Sequence, residues 1–470
     1  MSNLKKNIGY QTVYQILITC LPLITSPYLS RILGPENLGV FSYTQSIVNY
    51  FTLFAMLGLA NYGTRSIAEV SSNKEKRSKV FLSIFTLQFL TCSISIIVYI
   101  IYLIFFKPDY LLISIIQAIA IISCFLDINW LFFGLEKFKL TVSRNIFIKI
   151  STVIFILLFV KTEKDLWVYV LLMVGSTLLS QFVLWLYVPK LIKVVKFTAE
   201  DVLKHIKPNI MLFIPLAAMS VYHIMDKTML GMFSSFEQTG FYYNADKVIN
   251  IPAGIISGIS TVMMPRISAL IGDNEEDKAN ELFNKTLMGT VCIASALSFG
   301  IASISNEFIP VFFGDGYEQC VFLVKILSPV LIIKGFSFTF RYLYLIPRGM
   351  EKKYIYSIVS GMVVNLIINF MLIPKYGAIG AVFGTLMAEL IACIVQYLSI
   401  YKEIKIGKII MQSFVFLILG IVMYLAVRIV SNILHLNYFI EIIVGMITGA
   451  SVYLGFCYIL YKIYLKKIYI

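Results

Sequence analysis

Apolar runs of about 20 residues, the length an α-helix needs to cross bilayer hydrocarbon, recur along the chain between short polar stretches. The pattern predicts helices beginning near Ile8, Leu38, Val80, Tyr110, Ile146, Leu166, Asn209, Phe241, Thr286, Cys320, Tyr354, Gly377, Ile410 and Tyr438. A transmembrane β-barrel would instead show short segments of alternating hydrophobicity. The chain reads as an all-α, polytopic membrane protein with about 14 transmembrane helices.

Composition agrees. Of the 470 residues, 59% are hydrophobic and only 14% charged, against about 25% charged in soluble domains. The opening "MSNLKKN" precedes an apolar span from Ile8 to Ser30. That span is too long for a signal peptide and reads as the first membrane helix. Cys20, Cys92, Cys124, Cys292, Cys320, Cys393 and Cys457 show no metal-ligand spacing, so they read as small buried hydrophobes. No metal and no cofactor is expected.

Most of the 39 Lys and Arg residues fall at the N-terminus and in the even-numbered connections, counting the C-terminal tail as the last of these. The odd-numbered connections hold only Arg31, Lys107, Lys161, Lys164 and Lys375. Cytoplasmic segments carry the basic excess, so both termini are expected in the cytoplasm. The net charge of +14 then needs no nucleic acid, since basic inner loops lie beside anionic lipid. The outer loops are too short to build a soluble catalytic site, so no enzyme is expected. The longest, "NEFIPVFFGDGYEQ" (306–319), reads as a re-entrant lip.

The chain also repeats itself. "PENLGVFSY" with Glu36 and Gly39 is echoed by "FEQTGFYYN" with Glu237 and Gly240. The same offset (266 − 65 = 201) pairs Arg65 with Arg266 and Asn73 with Asn274. "GLEKFK" after the fourth helix is echoed by "GMEKKY" after the tenth. Six-helix units repeated after an even number of crossings have the same orientation, a parallel repeat. The expected organisation is a six-helix lobe over 1–207, a second over 208–408, and two further helices over 409–470.

Ionisable residues inside the spans carry the candidate chemistry: Asp127, Asp226, Lys227, Asp246, Lys247, Lys325, Lys334, Arg341, Glu389 and Arg428. Each would cost about 3 kcal/mol facing lipid, so most must face a wet cavity or one another. Lys325 and Arg428 lie near outer helix ends, where long side chains snorkel. Asp226 with Lys247, or Lys227 with Asp246, can meet across adjacent helices. His223, at i−3 from Asp226, adds a proton site as the other reading. Lys334, Ser337, Arg341, Tyr344 and Arg348 form one polar stripe bearing three cations and no acid. These cations either pair with Glu389 or Asp127 on other helices, or wait for an anion that the planar guanidinium fork of Arg would grip. Gln11, Gln15, Thr19, Pro22, Ser26 and Ser30 form a milder stripe on the first helix. It could bind hydroxyl-rich ligands or simply pack helices.

"SPYLSRILGPENLGVFSYTQSIVNYF", "GLANYGTRSIAEV", "MDKTMLGMFSSFEQTGFYYNADK" and "GLEKFK" resemble bacterial polysaccharide transporters, the O-antigen and capsule repeat-unit flippases. These belong to the multidrug/oligosaccharidyl-lipid/polysaccharide exporter superfamily. The resemblance implies two lobes forming a V-shaped cavity that opens alternately to either side of the cytoplasmic membrane. It implies an undecaprenyl-pyrophosphate-linked oligosaccharide as substrate, with Lys334 and Arg341 near the pyrophosphate and polar side chains near the sugars. The polyprenyl tail would stay in lipid, along helices 13 and 14. A proton or sodium gradient and polysaccharide polymerase machinery are the further partners to consider. The alternatives are a drug or cation antiporter of the same superfamily and a membrane polysaccharide polymerase.

Overall fold

The computed structural model describes residues 21–403 apart from the side chains of Pro215 and His223, then Gly407, 410–434, 436–460 and Lys462. Residues 2–20 and 408–409 are described as helix backbone only. Backbone packing divides the chain into two compact units, Met1–Gly231 and Met232–Ile470.

The first unit opens with α1 (Ser2–Met56), kinked at Gly34 (φ 73°, ψ 172°). A left-handed φ of this kind suits glycine. Pro35 follows at the start of the second arm, where its missing N–H costs nothing. The first two predicted helices are these two arms. Next come α2 (Leu59–Glu69), α3 (Lys74–Phe106), α4 (Leu111–Phe125), α5 (Asn129–Gly134) and α6 (Phe138–Phe159). A 3-10 turn at Glu163–Asp165 leads into α7 (Leu166–Trp185), followed by α8 (Val188–Leu191), α9 (Ala199–Leu203) and α10 (Ile206–Phe233), whose last residues enter the second unit.

The second unit holds α11 (Phe236–Gly272), α12 (Glu276–Phe313), α13 (Glu318–Leu327) and α14 (Pro329–Phe340). A π-helical turn over Arg341–Leu345 follows, then α15 (Glu351–Tyr376), α16 (Ala378–Ile400), α17 (Gly407–Leu434) and α18 (Tyr438–Leu460). Among the described residues, 11 helical segments are long and apolar enough to cross a membrane, or up to 12 if one bent pair counts as a span. The protein is a multi-pass membrane protein.

The helices are inside-out relative to soluble ones. On α3, Ser78, Phe81, Ile84, Gln88, Cys92, Ser95 and Tyr99 are buried, at the three- and four-residue steps of one helix face. Ile94, Ile97, Ile101, Ile104 and Phe105 are exposed. Water would penalise that arrangement, whereas lipid favours it because small and polar residues mediate packing between membrane helices. Close approach is visible between α15 and α16, where a Cβ at Gly384 would lie 2.0 Å from Asn369 Oδ1.

The sequence echoes occupy matching structural positions. The Gly34 kink precedes Glu36, and the break after α10 precedes Glu237 on α11. Asn73 caps α3 by accepting from the N–H groups of Glu75 and Lys76, and Asn274 (φ 59°) turns the chain into α12. Both "GLEKFK" and "GMEKKY" follow broken spans, α4–α5 and α13–α14 with its π turn.

The predicted lip at 306–319 is corrected. α12 runs through it to Phe313, leaving a short turn before α13. Phe308, Phe312, Phe313 and Tyr317 make successive ring contacts, and Glu307 is buried against Arg428. The segment is therefore a helix end and a turn, with Glu307 neutralised and Asp315 and Glu318 exposed.

Candidate functional site

In the second unit the cationic stripe lies on α14 and the π turn. Lys334 is buried between Glu389 Oε1 on α16, 3.6 Å away, and Asn250 Oδ1 on α11, 3.3 Å away. Asn250 also donates to Asp246 Oδ1 at 2.7 Å. A carboxylate, an amide, an ammonium and a second carboxylate thus follow one another across three helices. Ser337 donates to Gln396 Oε1 at 3.0 Å, and Gln396 donates to Ser357 Oγ at 3.2 Å, which ties α14, α16 and α15 together.

Beyond Ser337 the stripe does not run straight. Arg341 O accepts from Ile346 N, an i+5 bond, at 3.0 Å. This wider turn shifts the register by one residue, roughly 100° of helix rotation. Such π turns recur at functional sites. Arg341 sits at its start, with its guanidinium carbon 4.6 Å from the Tyr342 ring centroid and 4.3 Å from that of Tyr354. Its Nε is buried without a hydrogen-bond partner. Among the described residues no carboxylate pairs with it, so only the two aromatic faces hold the charge.

The cations on either side of Arg341 are neutralised. Arg348 Nη2 donates to Glu276 Oε2 at 2.7 Å and Asn280 Oδ1 at 3.1 Å, and its guanidinium covers the Tyr344 ring. Tyr344 and Lys353 both donate to Glu403, at 2.9 Å each. Burial raises the Glu403 carboxyl, but those two donors and the charges of Lys353 and Arg348 together hold it below its ordinary value.

The first unit carries a second polar knot that the sequence pattern did not reveal. The span α4–α5 breaks at Asp127. Gln88 donates to the carbonyls of Cys124 (2.6 Å) and Asp127 (2.8 Å), and Trp185 Nε1 donates to the Leu126 carbonyl (3.0 Å). These side chains replace the helical partners the break removes. Asp127 Oδ1 accepts from the backbone and side-chain N–H groups of Asn129 at 3.0 and 2.7 Å. Asn129 also donates to Gln181 and accepts from Arg144, whose Nη2 reaches Asn145 Oδ1 as well. Ser180 completes the ring by donating to Asn145. Asp127 is linked to Arg144 through the Asn129 amide.

Arg144 and Lys149 fall on α6, which begins at Phe138, eight residues before the predicted start. The available signal was the helical spacing of Thr141, Arg144, Ile148, Thr152 and Ile156, all of which are buried.

Of the remaining candidates, Asp226 is buried and Lys227 half-buried on α10, in the first unit. Asp246 and Lys247 lie on α11 in the second, with Lys247 Nζ 4.0 Å from the Tyr243 ring centroid. The side chains of Gln11, Gln15 and His223 lie outside the described residues. Arg428 does not snorkel. Its Nη1 lies 2.7 Å from Glu307 Oε1, a pair buried between α12 and α17. Lys325 donates to Asn306 at 2.6 Å. Beside that pair, α12, α17 and α18 enclose an apolar groove of about 350 Å³ lined by Gly300, Met423, Gly449 and Tyr453. Among the described residues no cluster could hold a metal ion.

These features can be set against known proteins. A relative from Escherichia coli (strain K12) named "Putative O-antigen transporter" is 26% identical over 412 residues, covering 85% of this chain and 96% of the relative. The solved structure of the lipid II flippase MurJ in an inward closed conformation superposes with a TM-score of 0.79 at 16% identity, covering 97% of this chain and 99% of that one. An inward-facing multidrug resistance MATE transporter gives a TM-score of 0.61 at 15% identity over 86% of this chain and 98% of that one. The two structural likenesses place the fold among transporters, and residues 4–271 match the family described as polysaccharide biosynthesis protein. The chain belongs to that family.

Proposed function

We propose that the protein moves undecaprenyl-pyrophosphate-linked oligosaccharide repeat units from the cytoplasmic to the outer leaflet of the bacterial cytoplasmic membrane by alternating access, without catalysing a covalent step. Its chemical role is to carry an anionic headgroup through a medium that repels charge. The observation that carries this reading is Arg341, a cation in a membrane span with aromatic faces around it and no acid among the described residues. Such a guanidinium offers its fork to phosphate oxygens, while Lys334 stands two turns away. The E. coli relative, which bears O-antigen in its name, supports a saccharide cargo, and the MurJ likeness supports the scaffold.

On this reading the termini face the cytoplasm. Asp226, Lys227, Asp246 and Lys247, with His223, form the set to test for coupling to a proton or sodium gradient. The polyprenyl tail stays in lipid, and the groove between α12, α17 and α18 offers an apolar surface of the right character.

The test is the sidedness of lipid-linked oligosaccharides in cells lacking the protein, probed with an impermeant glycosidase. Units that accumulate but resist the enzyme until the membrane is opened support the proposal. Units that accumulate and are digested from outside point to a failed polymerase instead. An unchanged pool favours a drug or cation antiporter.

A further inference from the structure

The connection between α7 and α10 is a strap rather than a loose linker. It is fastened to the first turns of α3 at successive points. Arg77 donates to the Leu191 carbonyl at 2.7 Å, Ser78 accepts from the Lys193 N–H at 2.9 Å, and Lys79 pairs with Asp201 at 2.8 Å. His205 closes the far end between Tyr62 (2.6 Å) and Ser83 (3.0 Å). Asp201 and Thr198 form a capping box that starts α9.

These fastenings set the depth of the strap. α3 has 33 residues, about 50 Å of helix, against roughly 30 Å of hydrocarbon. Its first turns, which hold the strap, therefore emerge into the headgroup layer.

The outward face of the strap is dominated by two kinds of side chain, with Glu200 an exposed acid among them. Lys190, Lys193, Lys196 and Lys207 are exposed, and none of them belongs to an ion pair among the described residues. Between them, Val194 is 98% exposed and Leu203 60% exposed, with Phe197 also open. Water gives no reason to display a whole valine on a fixed backbone. A protein partner is disfavoured because interface centres are depleted of lysine. The headgroup layer meets both requirements, with phosphates for the ammonium groups and acyl boundaries for the apolar side chains.

We propose that this strap is a docking surface for anionic phospholipid. It lies flat in the headgroup layer, with its four open lysines on lipid phosphates and Val194, Phe197 and Leu203 reaching toward the acyl chains. The strap holds α3 to α10 through His205, so the charge of the leaflet braces that junction. Nothing in this assignment depends on what the protein transports.

The test is backbone hydrogen exchange over residues 192–198 of the full chain in nanodiscs of phosphatidylcholine, with or without phosphatidylglycerol. Phosphatidylglycerol should slow exchange in the wild type. High salt should release the protection, because screening shortens the reach of surface charge. Each lysine replaced by Gln should weaken the association by roughly fivefold. A variant with all four changed should exchange alike in both lipids, with unchanged exchange in α12 showing that the fold survives. Equal exchange of the wild type in the two lipids overturns the proposal. So does phosphatidylglycerol protection that persists without the lysines or at high salt, and the wild-type comparison decides even if the variant fails to fold.

Discussion

The two units each break one span before an echoed "G-x-E-K" segment, and they fill the break in opposite ways. In the first, Asp127 and Arg144 are linked through the Asn129 amide, which contacts both directly. In the second, the line from Lys334 to Arg348 finds acids at its ends, Glu389 and Glu276, and none at its centre, Arg341. The hydrogen bonds on both sides of Asn129 tie the first break into its surroundings. A charge resting on ring faces keeps its donors available. On the function proposed above, the first break is scaffold and the second is where the ligand would meet charge.

Arg341 should show the largest effect. Arg341→Ala is expected to abolish export of the lipid-linked oligosaccharide while the protein remains in the membrane at normal level, and Arg341→Lys should restore only part, having charge without the fork. Near-normal polymer export by the Ala variant would remove Arg341 from the substrate path and erase the contrast. Lys334 and Glu389 come next. Losing one partner of a buried pair costs about 3–5 kcal/mol, whereas replacing both with apolar residues of similar size is often neutral. Glu389→Gln should therefore lower the thermal midpoint in detergent, and the double variant Lys334→Met with Glu389→Leu should recover it. If that stable double variant also transports normally, Lys334 is a strut and the ligand line shrinks to Arg341.

Much of this organisation was legible in the chain, and the misses share one cause. Helix positions followed from apolar run length. The Lys334–Glu389 pairing was one of two readings of the stripe. Hydropathy, however, cuts a helix where polarity rises, so it starts α6 at Ile146 and leaves Arg144 in a loop. α12 is likewise cut before Asn306, which leaves Glu307 in a lip and Arg428 without its partner. Charges that one neighbour neutralises look like helix ends when only the run of apolar residues is read. The π turn at Arg341 had no signature at all, since Arg-Tyr-Leu-Tyr-Leu continues an α-helical pattern equally well.

The scaffold role of the first break predicts a smaller, purely structural effect. Arg144→Leu leaves the Asn129 and Asn145 carbonyl oxygens without their charged donor, a loss of about 1.5–3 kcal/mol. The thermal midpoint should fall, while transport per folded molecule should hold. A transport defect in protein of unchanged stability would make the first knot functional and collapse the contrast between the units.

The smallest effect belongs to Glu403, which joins Tyr344 to Lys353 beside the cationic line. Its carboxyl is held below the ordinary value of 4.5, so it favours the folded state above that value. The contribution is lost as pH falls through the lowered one. Part of the pair is exposed, which keeps its worth modest. Hydrogen exchange at the end of α16 should therefore rise in the wild type only as the pH drops below about 4.5, and in Glu403→Gln it should be raised at neutral pH and insensitive to acid. An acid response that survives in Glu403→Gln would place the titrating group elsewhere. Arg348 and Tyr344 would then be held by Glu276 and ring stacking alone, and the neutral flank that isolates Arg341 would rest on one acid instead of two.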